Sequence, residues 1–510
     1  MHLIGLDIGT TGGKAIVFDG HGKARGHAYR EYAVVCDTPA KAEQDAESVW
    51  RLTKEVLREA VAHAGVDDIA ALSVSVQGDA VIPVDSQFQP LHPAILGMDY
   101  RAAPQAAACA REFGDFPLFQ ATGMRAHPMN SLAKVLFLRE HAPALFDKAW
   151  KITTYADFIL GRLGAEAVID CTMASRTMAC DLAGGTWHQG ILQTLGLRED
   201  LFSRIVPSGK AVGRIRRSLA EELNLPPNLL LVAGGHDQTC AALGAGLVQT
   251  GLGLVSTGTA EVLSTAFEAP LLSQRMFDSF YPCYLHAKPG MCFTFALNHA
   301  GGMLLRWWRD QFAAAEVVAA SAAGRDAYEL IDSRMPATPT RLFAVPHLNG
   351  TGTPWCDVGA TGGVFGLTFT TTRHEVAKAL LEGLCFELRI NLENLQRCGA
   401  SIQQLRAVGG GAKSETWLQL KADILNCPIS TLRCREAACL GAALLAGLGA
   451  GFYSSLDEAV AQTVATDREY APRAEASSHY HERFAEYARL YPALKTLRSS
   501  ASTGSINPIV

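Results

Sequence analysis

The segment Gly234-Gly235-His236-Asp237-Gln238 joins the apolar run Leu229–Val232 to a row of small residues that begins near Thr239. The apolar run predicts a buried strand, and the small residues predict a helix. A buried strand that ends in paired glycines and then presents an acid is a common way to build an active site in an α/β protein. The alternative is that Asp237 only caps the helix. The rest of the chain favours the active site.

The composition describes a large globular chain. It has 510 residues, 48% hydrophobic and 19% charged, which predicts two or more domains. A net charge of −5 without a basic stripe argues against nucleic acid or a membrane surface as partner. Thirteen cysteines without metal-ligand spacing predict reduced thiols in the cytoplasm. The start is unlike a signal peptide, and the small-apolar run Cys439–Phe452 is too short to span a bilayer.

Two strand–turn–strand segments lie about half a chain length apart. The first has the turn Gly9-Thr10-Thr11-Gly12-Gly13 between Leu3–Ile8 and Lys14–Asp19. The second, Gly253–Leu263, contains Ser256-Thr257-Gly258-Thr259. Backbone N–H groups and hydroxyls in such turns bind phosphate, although a purely structural turn is the alternative. The repetition predicts two similar halves that present hydroxyl-rich hairpins to a shared cleft.

A third glycine-rich segment follows the apolar run Leu405–Val408. Gly409-Gly410-Gly411-Ala412-Lys413-Ser414 leads into a predicted helix that carries Trp417. The free N–H groups and the positive end of that helix favour an anionic or polar ligand. Consecutive glycines also let a flat ring lie against the backbone. A structural glycine turn is the alternative.

Polar side chains follow the predicted strands of the first half. Gln77, Gly78 and Asp79 end one strand, and Asp99 and Arg101 follow another. Polar strand ends suit a ligand with many hydroxyls. The alternative for the last two is a surface Asp–Arg pair, which contributes little stability.

Together these segments resemble the FGGY carbohydrate kinases, whose members include glycerol kinase, xylulokinase, gluconokinase and ribulokinase. The glycine-rich motifs fall in the order of that family, and the similarity covers roughly residues 1 to 450. Two further patterns resemble the family's two signatures, with Phe137 where Trp is usual: Met129-x-Ser131-x-x-Lys134-Val135-x-Phe137 and Gly410-x-x-Lys413-x-x-x-Trp417-x-Gln419. Lys134 by itself is interpreted as a solvated surface lysine.

The resemblance implies an α/β fold of two ribonuclease-H-like domains, of the actin/hexokinase ATPase type, around a central cleft. Residues 1–247 would form the N-terminal, sugar-binding domain. Residues 248–453 would form the C-terminal, ATP-binding domain. Residues 454–510 would be a helical and flexible tail, with Ser499–Ser505 disordered.

The resemblance also implies ATP and Mg²⁺ as cofactors and a small sugar as substrate. Asp237 matches the general base, and Asp7 with Asp237 would hold Mg²⁺. The triphosphate would meet Thr10, Thr11 and Lys14 from one side and Thr257, Gly258 and Thr259 from the other. Adenine and ribose would meet Gly410, Gly411 and Ala412. The sugar would meet Gln77, Gly78, Asp79, Asp99, Arg101, Asp237 and Gln238.

Two departures from the xylulokinase pattern concern the sugar pocket. Gly78-Asp79 stands where Met-His is usual, and Gly97 stands where Trp is usual. We therefore expect a more open and more acidic pocket. Such a pocket favours a neutral ketose, for example a pentulose, or a polyol. An aldonate such as gluconate, the alternative substrate, would face the carboxylates of Asp79, Asp99 and Asp237.

Other classes of protein remain as alternatives. A non-catalytic or regulatory nucleotide-binding member of the same superfamily would have no use for polar strand ends in its first domain. A nicotinamide dehydrogenase would carry G-x-G-x-x-G, which this sequence lacks. The Trp307–Trp308 pair could serve a homodimer interface, but core packing is favoured.

Overall fold

The first half of the chain ends in a strand that leads to Asp237. The computed structural model describes residues 1–502. The strands are β1 (His2–Ile8), β2 (Gly12–Asp19), β3 (Ala24–Glu31), β4 (Glu43–Gln44), β5 (Ile69–Val76), β6 (Ile82–Val84), β7 (Ala94–Ile95), β8 (Lys151–Thr153), β9 (Val168–Asp170), β10 (Cys180–Asp181), β11 (Thr186–Trp187), β12 (Arg204–Val206), β13 (Ala211–Arg214) and β14 (Leu230–His236). The helices are α1 (Ala46–Ala64), α2 (Ala103–Phe113), α3 (Asp115–Thr122), α4 (Ser131–His141), α5 (Pro143–Lys148), α6 (Tyr155–Leu163), α7 (Cys171–Arg176), α8 (Gln189–Thr194), α9 (Arg217–Leu223) and α10 (Asp237–Gly244).

The second half opens, like the first, on a strand–turn–strand hairpin. Its strands are β15 (Gly251–Thr257), β16 (Glu261–Phe267), β17 (Tyr284–Leu285), β18 (Cys292–Asn298), β19 (Phe343–Val345), β20 (Gly363–Phe365), β21 (Ile402–Gly409), β22 (Ile429–Leu432) and β23 (Thr466–Tyr470). Its helices are α11 (Gln274–Asp278), α12 (Gly302–Phe312), α13 (Ala314–Ala322), α14 (Ala327–Arg334), α15 (Arg373–Arg397), α16 (Glu415–Leu425), α17 (Ala437–Gly449), α18 (Leu456–Thr463), α19 (Ala474–Tyr487) and α20 (Leu490–Ser502).

Each half is built on one large sheet, and the two sheets have matching topology. The first has the order β13-β14-β5-β1-β2-β3, with β1 antiparallel to β2 and parallel to β5. The second has the order β17-β18-β16-β15-β21-β22-β23, with β15 antiparallel to β16 and parallel to β21. In both sheets three parallel strands end at the same edge. The repeat predicted from the two glycine–threonine turns is therefore present as a repeat of topology.

Two helices lie between the sheets, and each packs on the sheet of the other half. Helix α17 belongs to the second half, but its apolar residues pack against Leu3 and Val232 of the first sheet. Helix α10 belongs to the first half, and its Ala242 packs with Leu254 of the second sheet. The two helices therefore form an interdomain core that both sheets share, since Leu243 of α10 also packs with the first sheet and Ala437 of α17 with the second.

The local signals at helix starts had different outcomes. Asp45 accepts a hydrogen bond from the Glu47 N–H and is the N-cap of α1. Helix α10 begins at Asp237 itself, earlier than the start near Thr239 that the small residues predicted. Since His236 occupies the N-cap position, the interpretation of Asp237 as a simple cap is wrong.

After residue 453, α18 packs beside the first sheet, whereas β23 and α19 pack on the second half. Strand β23 pairs with β22 at the sheet edge. In α19, the Tyr480 hydroxyl donates to Glu382 at 2.8 Å and the Tyr487 hydroxyl donates to Glu387 at 2.7 Å. The domain limits and the flexible tail stay predictions. The predicted disorder at Ser499–Ser505 extends into 503–505, outside the described residues.

Three further observations concern the helices, the tryptophan pair and the cysteines. Within residues 1–502, no helix is both long and apolar enough to cross a bilayer. Trp308 is buried, as core packing predicted, whereas Trp307 is 39% exposed. All thirteen cysteines are free thiols.

Candidate active site

The carboxyl ends of β1, β5 and β14 bring the predicted polar residues of the first half together. Asp7 pairs in register with Ser75, and Val76 pairs with His236. The segments that follow these three strands therefore start side by side; they begin at Gly9, Gln77 and Asp237. This is the edge at which parallel sheets of α/β proteins place their ligands.

Asp237 lies deep in this cleft, although 29% of its side-chain surface is exposed. Burial raises the pKa of Asp237 to about 7; the nearby charge of Asp7 raises it further, while hydrogen bonds from Gln238 and the charge of Arg176 lower it. His236 Nε2 lies 3.1 Å from Asp237 Oδ1 without the alignment of a hydrogen bond. Among residues 1–502, no group hydrogen-bonds to that buried oxygen.

Asp7 provides a second, half-buried carboxylate beside Asp237. The Ser75 hydroxyl donates a hydrogen bond to Asp7 Oδ1 at 2.6 Å. Burial raises the pKa of Asp7 to about 6, although the hydrogen bond from Ser75 and the charge of Lys14 oppose the shift. Two interacting acids with raised pKa values are typical of sites that handle protons or cations.

Two side-chain amides hold the first glycine–threonine turn through hydrogen bonds to its backbone carbonyls. Gln44 Nε2 donates to the Thr10 carbonyl at 3.0 Å, and Gln77 Nε2 donates to the Gly9 carbonyl at 3.3 Å. Gln77 is buried, so it supports the turn in this conformation. Thr11 is exposed. Lys14 Nζ reaches across the interdomain boundary to Glu436 at 2.6 Å.

The second turn and the triple glycine lie next to each other. Thr257 pairs in register with Gly409. The Thr257 hydroxyl donates to Glu261 at 2.8 Å and accepts from Lys421 Nζ at 2.8 Å, all within the core. A methyl group added at Gly258 would meet no atom within 4 Å. The backbone at the tip of this turn therefore faces open space.

The adenine-site prediction concerns Gly410, Gly411 and Ala412, which form a 3-10 turn before α16. A Cβ on Gly411 would lie 2.6 Å from Thr257 Cγ2, so only glycine allows this approach. Ser414 caps α16, and its hydroxyl donates to Asp332 at 2.5 Å. The structure thus joins two of the three predicted nucleotide motifs in one surface.

Asp79 forms a buried ion pair with Arg176, and both side chains are only 3% exposed. The Asp79 backbone has a φ of 66°, in the left-handed region that residues other than glycine rarely adopt. A Cβ at Gly78 would lie 2.7 Å from His236 Nε2. The prediction of a more open and more acidic pocket is therefore wrong at this corner, because His236 and Arg176 fill the space and Arg176 balances the charge.

Lys134 is fully buried, so its interpretation as a surface lysine is wrong. Its Nζ donates to the backbone carbonyls of Asp79, at 3.1 Å, and Met129. Burial lowers the pKa of Lys134 to about 8, with the charge of Asp79 opposing the shift. Lys134, the lysine of the family-like pattern, therefore holds the main chain at Asp79 in place.

Asp99 and Arg101 form an ion pair at 2.7 Å that extends to Glu43. Asp99 is 1% exposed and also accepts the Ala42 N–H at 2.9 Å. The surface-pair alternative therefore does not describe Asp99, whose carboxylate is engaged by protein groups. A sugar contact by Asp99 or Arg101 stays a prediction, as it does for Gln238, which is partly exposed.

Sequence reasoning missed three residues around Asp237. Arg176 ends α7, Tyr284 comes from the second sheet, and His236 packs its ring beside the acid. The Tyr284 hydroxyl lies 3.0 Å from His236 Nδ1, and the Arg176 guanidinium lies over the Tyr284 ring at 5.2 Å. Burial lowers the pKa of His236 well below its usual value, and the charge of Arg176 adds to this. No local sequence signal marks these contacts.

Residues 1–502 contain no cluster of three or more His, Cys, Asp or Glu side chains placed to bind a metal. A Mg²⁺ ion that also binds substrate phosphates needs only one or two carboxylates. The half-buried carboxylates of Asp7 and Asp237, one with an unpartnered oxygen among the described residues, fit that smaller requirement.

Two sheets of matching topology, with two acids at the carboxyl edge of the first, define a two-domain α/β protein whose site can hold a cation and accept a proton. Family models match both halves: the N-terminal domain of the FGGY family of carbohydrate kinases matches residues 2–244, and the C-terminal domain matches residues 253–450. The chain therefore belongs to the FGGY family of carbohydrate kinases. The family and the enzyme class expected from the sequence are confirmed.

Relatives with different acceptors resemble the chain to a similar degree. It is 29% identical to a xylulose kinase of Bacillus subtilis, over 98% of both chains. It is 27% identical to a gluconokinase of the same organism, over 94% of this chain and 93% of the relative. A ligand-bound xylulose kinase of Lactobacillus acidophilus has a TM-score of 0.87 at 26% identity, covering 97% of this chain and 98% of that one. These relatives confirm the two-domain fold.

Proposed function

We propose that the protein transfers the γ-phosphoryl group of ATP to a hydroxyl of a small neutral sugar. The acceptor is a ketose such as a pentulose, or a polyol, and Asp237 is the general base. One observation carries this proposal: a carboxylate with a pKa of about 7 lies at the carboxyl edge of the first sheet, beside a second acid. A base of that strength accepts a hydroxyl proton efficiently near neutral pH.

The two glycine–threonine turns are proposed to hold the triphosphate between the halves. Thr10, Thr11 and Lys14 approach from the first half, and Thr257, Gly258 and Thr259 approach from the second. Open space around the Cα of Gly258 supports this assignment, since a phosphate could approach the tip of the turn there, although the Gly258 N–H itself donates to the Ala260 carbonyl at 2.9 Å. Gly410, Gly411 and Ala412 are proposed to face adenine and ribose.

Asp7 and Asp237 are the residues that would hold Mg²⁺. When bound, the cation neutralises charge on the phosphate oxygens. The role of the protein residues is alignment: the turns fix the phosphates while Asp237 takes the proton from the attacking hydroxyl. The domains must close on both ligands, because water in the cleft would otherwise accept the phosphoryl group. Thirteen free thiols support a cytoplasmic setting.

The charges near the acceptor support a neutral sugar less strongly than the sequence suggested. Arg176 balances Asp79, and Arg101 balances Asp99. An aldonate would therefore meet uncompensated charge mainly from Asp7 and Asp237. A coupled assay of ADP release with ketoses, polyols and aldonates tests the substrate class, and a clear preference for an aldonate would contradict the proposal.

Replacement of the base is the direct test of mechanism. Asp237→Ala is expected to bind ATP but to lower sugar-dependent ADP release by roughly 10²–10⁴-fold. Asp45→Ala removes an exposed acid whose side-chain hydrogen bonds, among the described residues, go only to Glu47 and Ser48 at the start of α1, so it should lower stability by about 1 kcal/mol and leave turnover unchanged.

Near wild-type turnover by Asp237→Ala would contradict the base assignment. Sugar addition to the wild type must also raise ATP turnover. Equal turnover with and without every sugar would instead indicate a regulatory nucleotide-binding protein.

A further inference from the structure

The ion pair of Asp79 and Arg176 leaves an unusual set of polar atoms without partners. Arg176 Nη2 contacts Asp79 Oδ2. Within residues 1–502, Arg176 Nε, Arg176 Nη1 and Asp79 Oδ1 have no hydrogen-bond partner, although all three are buried. Burial of an unpaired donor or acceptor is costly, so three in one ion pair indicate a partner acquired during function.

The backbone supports the same interpretation independently. Asp79 keeps a φ of 66°, and its carbonyl accepts hydrogen bonds from Lys134 Nζ at 3.1 Å and Ser131 Oγ at 3.3 Å. Residues held in sparsely populated backbone conformations cluster at ligand sites. The chain therefore fixes the Asp79 carboxylate beside the strand ends that carry the proposed base.

We propose that Arg176 is a specificity-determining residue that, together with Asp79, binds a carbonyl oxygen and the neighbouring hydroxyl of the acceptor sugar. This inference rests on the proposed function and narrows it to ketoses. The free guanidinium nitrogens can only donate, which suits a carbonyl oxygen, while Asp79 Oδ1 can accept from a hydroxyl. Because the pair is already neutral as a unit, it requires no charge on the ligand.

Two aromatic rings cover the ion pair of Asp79 and Arg176, and they determine how the sugar reaches it. The Arg176 guanidinium lies 5.2 Å from the Tyr284 ring centre and 5.5 Å from that of Phe295, and both rings belong to the second sheet. Separation of the halves therefore uncovers the donors. The sugar binds in the open form, and closure returns the aromatic rings to the far side of the guanidinium.

The test uses the full chain, a 2-ketopentose and the pentitol formed by reducing its carbonyl. A site built to hydrogen-bond a group rejects the analogue that lacks it, so we expect the wild type to prefer the ketose by roughly 10²-fold or more in kcat/KM. In Arg176→Met this ratio should fall to within about tenfold of unity. Arg176→Lys keeps the charge but loses the planar fork, and should lose most of the preference as well.

A matched control comes from another buried arginine of the same domain. Arg162 pairs with Glu47 at 2.6 Å, and its side chain is 9% exposed. Arg162→Met should lower the melting temperature and leave the ketose/pentitol ratio unchanged. If Arg176→Met fails to fold, Asp79→Asn/Arg176→Met, which removes both charges, is assayed in its place and should also lose the preference.

The outcomes separate this inference from the proposed function. A wild type that phosphorylates no ketose, polyol or aldonate contradicts the proposed function. An active wild type that uses ketose and pentitol equally overturns the inference alone. So does an Arg176 variant that keeps the wild-type ratio, because the ion pair is then only structural.

Discussion

At the scale of single residues, the acid at the centre of the site is held in an unfavourable environment. Asp237 has a pKa raised to about 7, mainly by burial, against roughly 3.9 for an aspartate in water. Its ionised form, which the proposed reaction needs, is therefore the form that the fold disfavours. Sites that carry function commonly reduce stability in this way.

The sign of this effect can be tested with Asp237→Asn. A raised pKa means that the contribution of Asp237 to stability is fully present below pH ~4 and is lost as the pH rises through about 7. The amide has no charge to bury, so at pH 8 the variant should be more stable than the wild type by roughly 1–3 kcal/mol. The gain should shrink toward zero at pH ~4, where the carboxyl is protonated.

Urea denaturation at several pH values measures the difference. Asp45→Asn is the control, because Asn caps a helix as well as Asp does and the site is exposed. A variant that is less stable than the wild type at pH 8 would show that the ionised carboxylate is not disfavoured in the fold.

At the scale of elements, the segments that the sequence predicted were those with complete local patterns. The strand–turn–strand openings and the strand before Asp237 depend on neighbours in sequence. The corner formed by Asp79, Arg176 and His236 depends on residues far apart in the chain. The position of the His236 ring in this corner could not be predicted. Gly78 indicates free space beside the backbone, but the sequence does not show which distant side chain occupies that space.

The crossing of α10 and α17 depends on glycines that allow backbone contact. A Cβ at Gly441 would lie 1.9 Å from the Cys240 carbonyl oxygen, and one at Gly244 would lie 1.9 Å from that of Ala437. Gly441→Ala must push the helices apart, and we expect it to destabilise by roughly 1–3 kcal/mol despite a better helix propensity. Thermal denaturation and turnover measure both consequences.

The control for this prediction is Gly190→Ala in α8. That position is exposed, and the added methyl would meet only the His188 ring, at 3.3 Å. We expect a neutral effect or a gain of up to about 1 kcal/mol. Equal behaviour of the two variants would mean that the helix crossing tolerates a wider separation.

At the scale of the whole molecule, the two halves are similar in topology but not independent in packing. Helix α17 covers one face of the first sheet, contacting Leu3, Ala71 and Val232. Residues 1–247 alone would therefore expose this apolar face to water. Separating the two halves would therefore divide an apolar core to which both contribute residues.

This packing predicts that residues 1–247 do not fold alone. Expressed separately, the fragment should aggregate or lack near-ultraviolet circular dichroism, and co-expression with residues 248–510 should restore soluble protein and turnover. Removal of residues 503–510 is the control and should change neither. A stable, cooperatively unfolding fragment 1–247 would contradict the interdependence.

The shared packing of α10 and α17 also bears on the origin of the repeat. In a single ancestral unit of this topology, the face of the last helix that carries Ala242 would have had no sheet to pack on. Such a unit could shelter that helix only against an identical neighbour. The precursor of the present chain is thus expected to have existed as an obligate pair, which a later tandem fusion made permanent within one polypeptide.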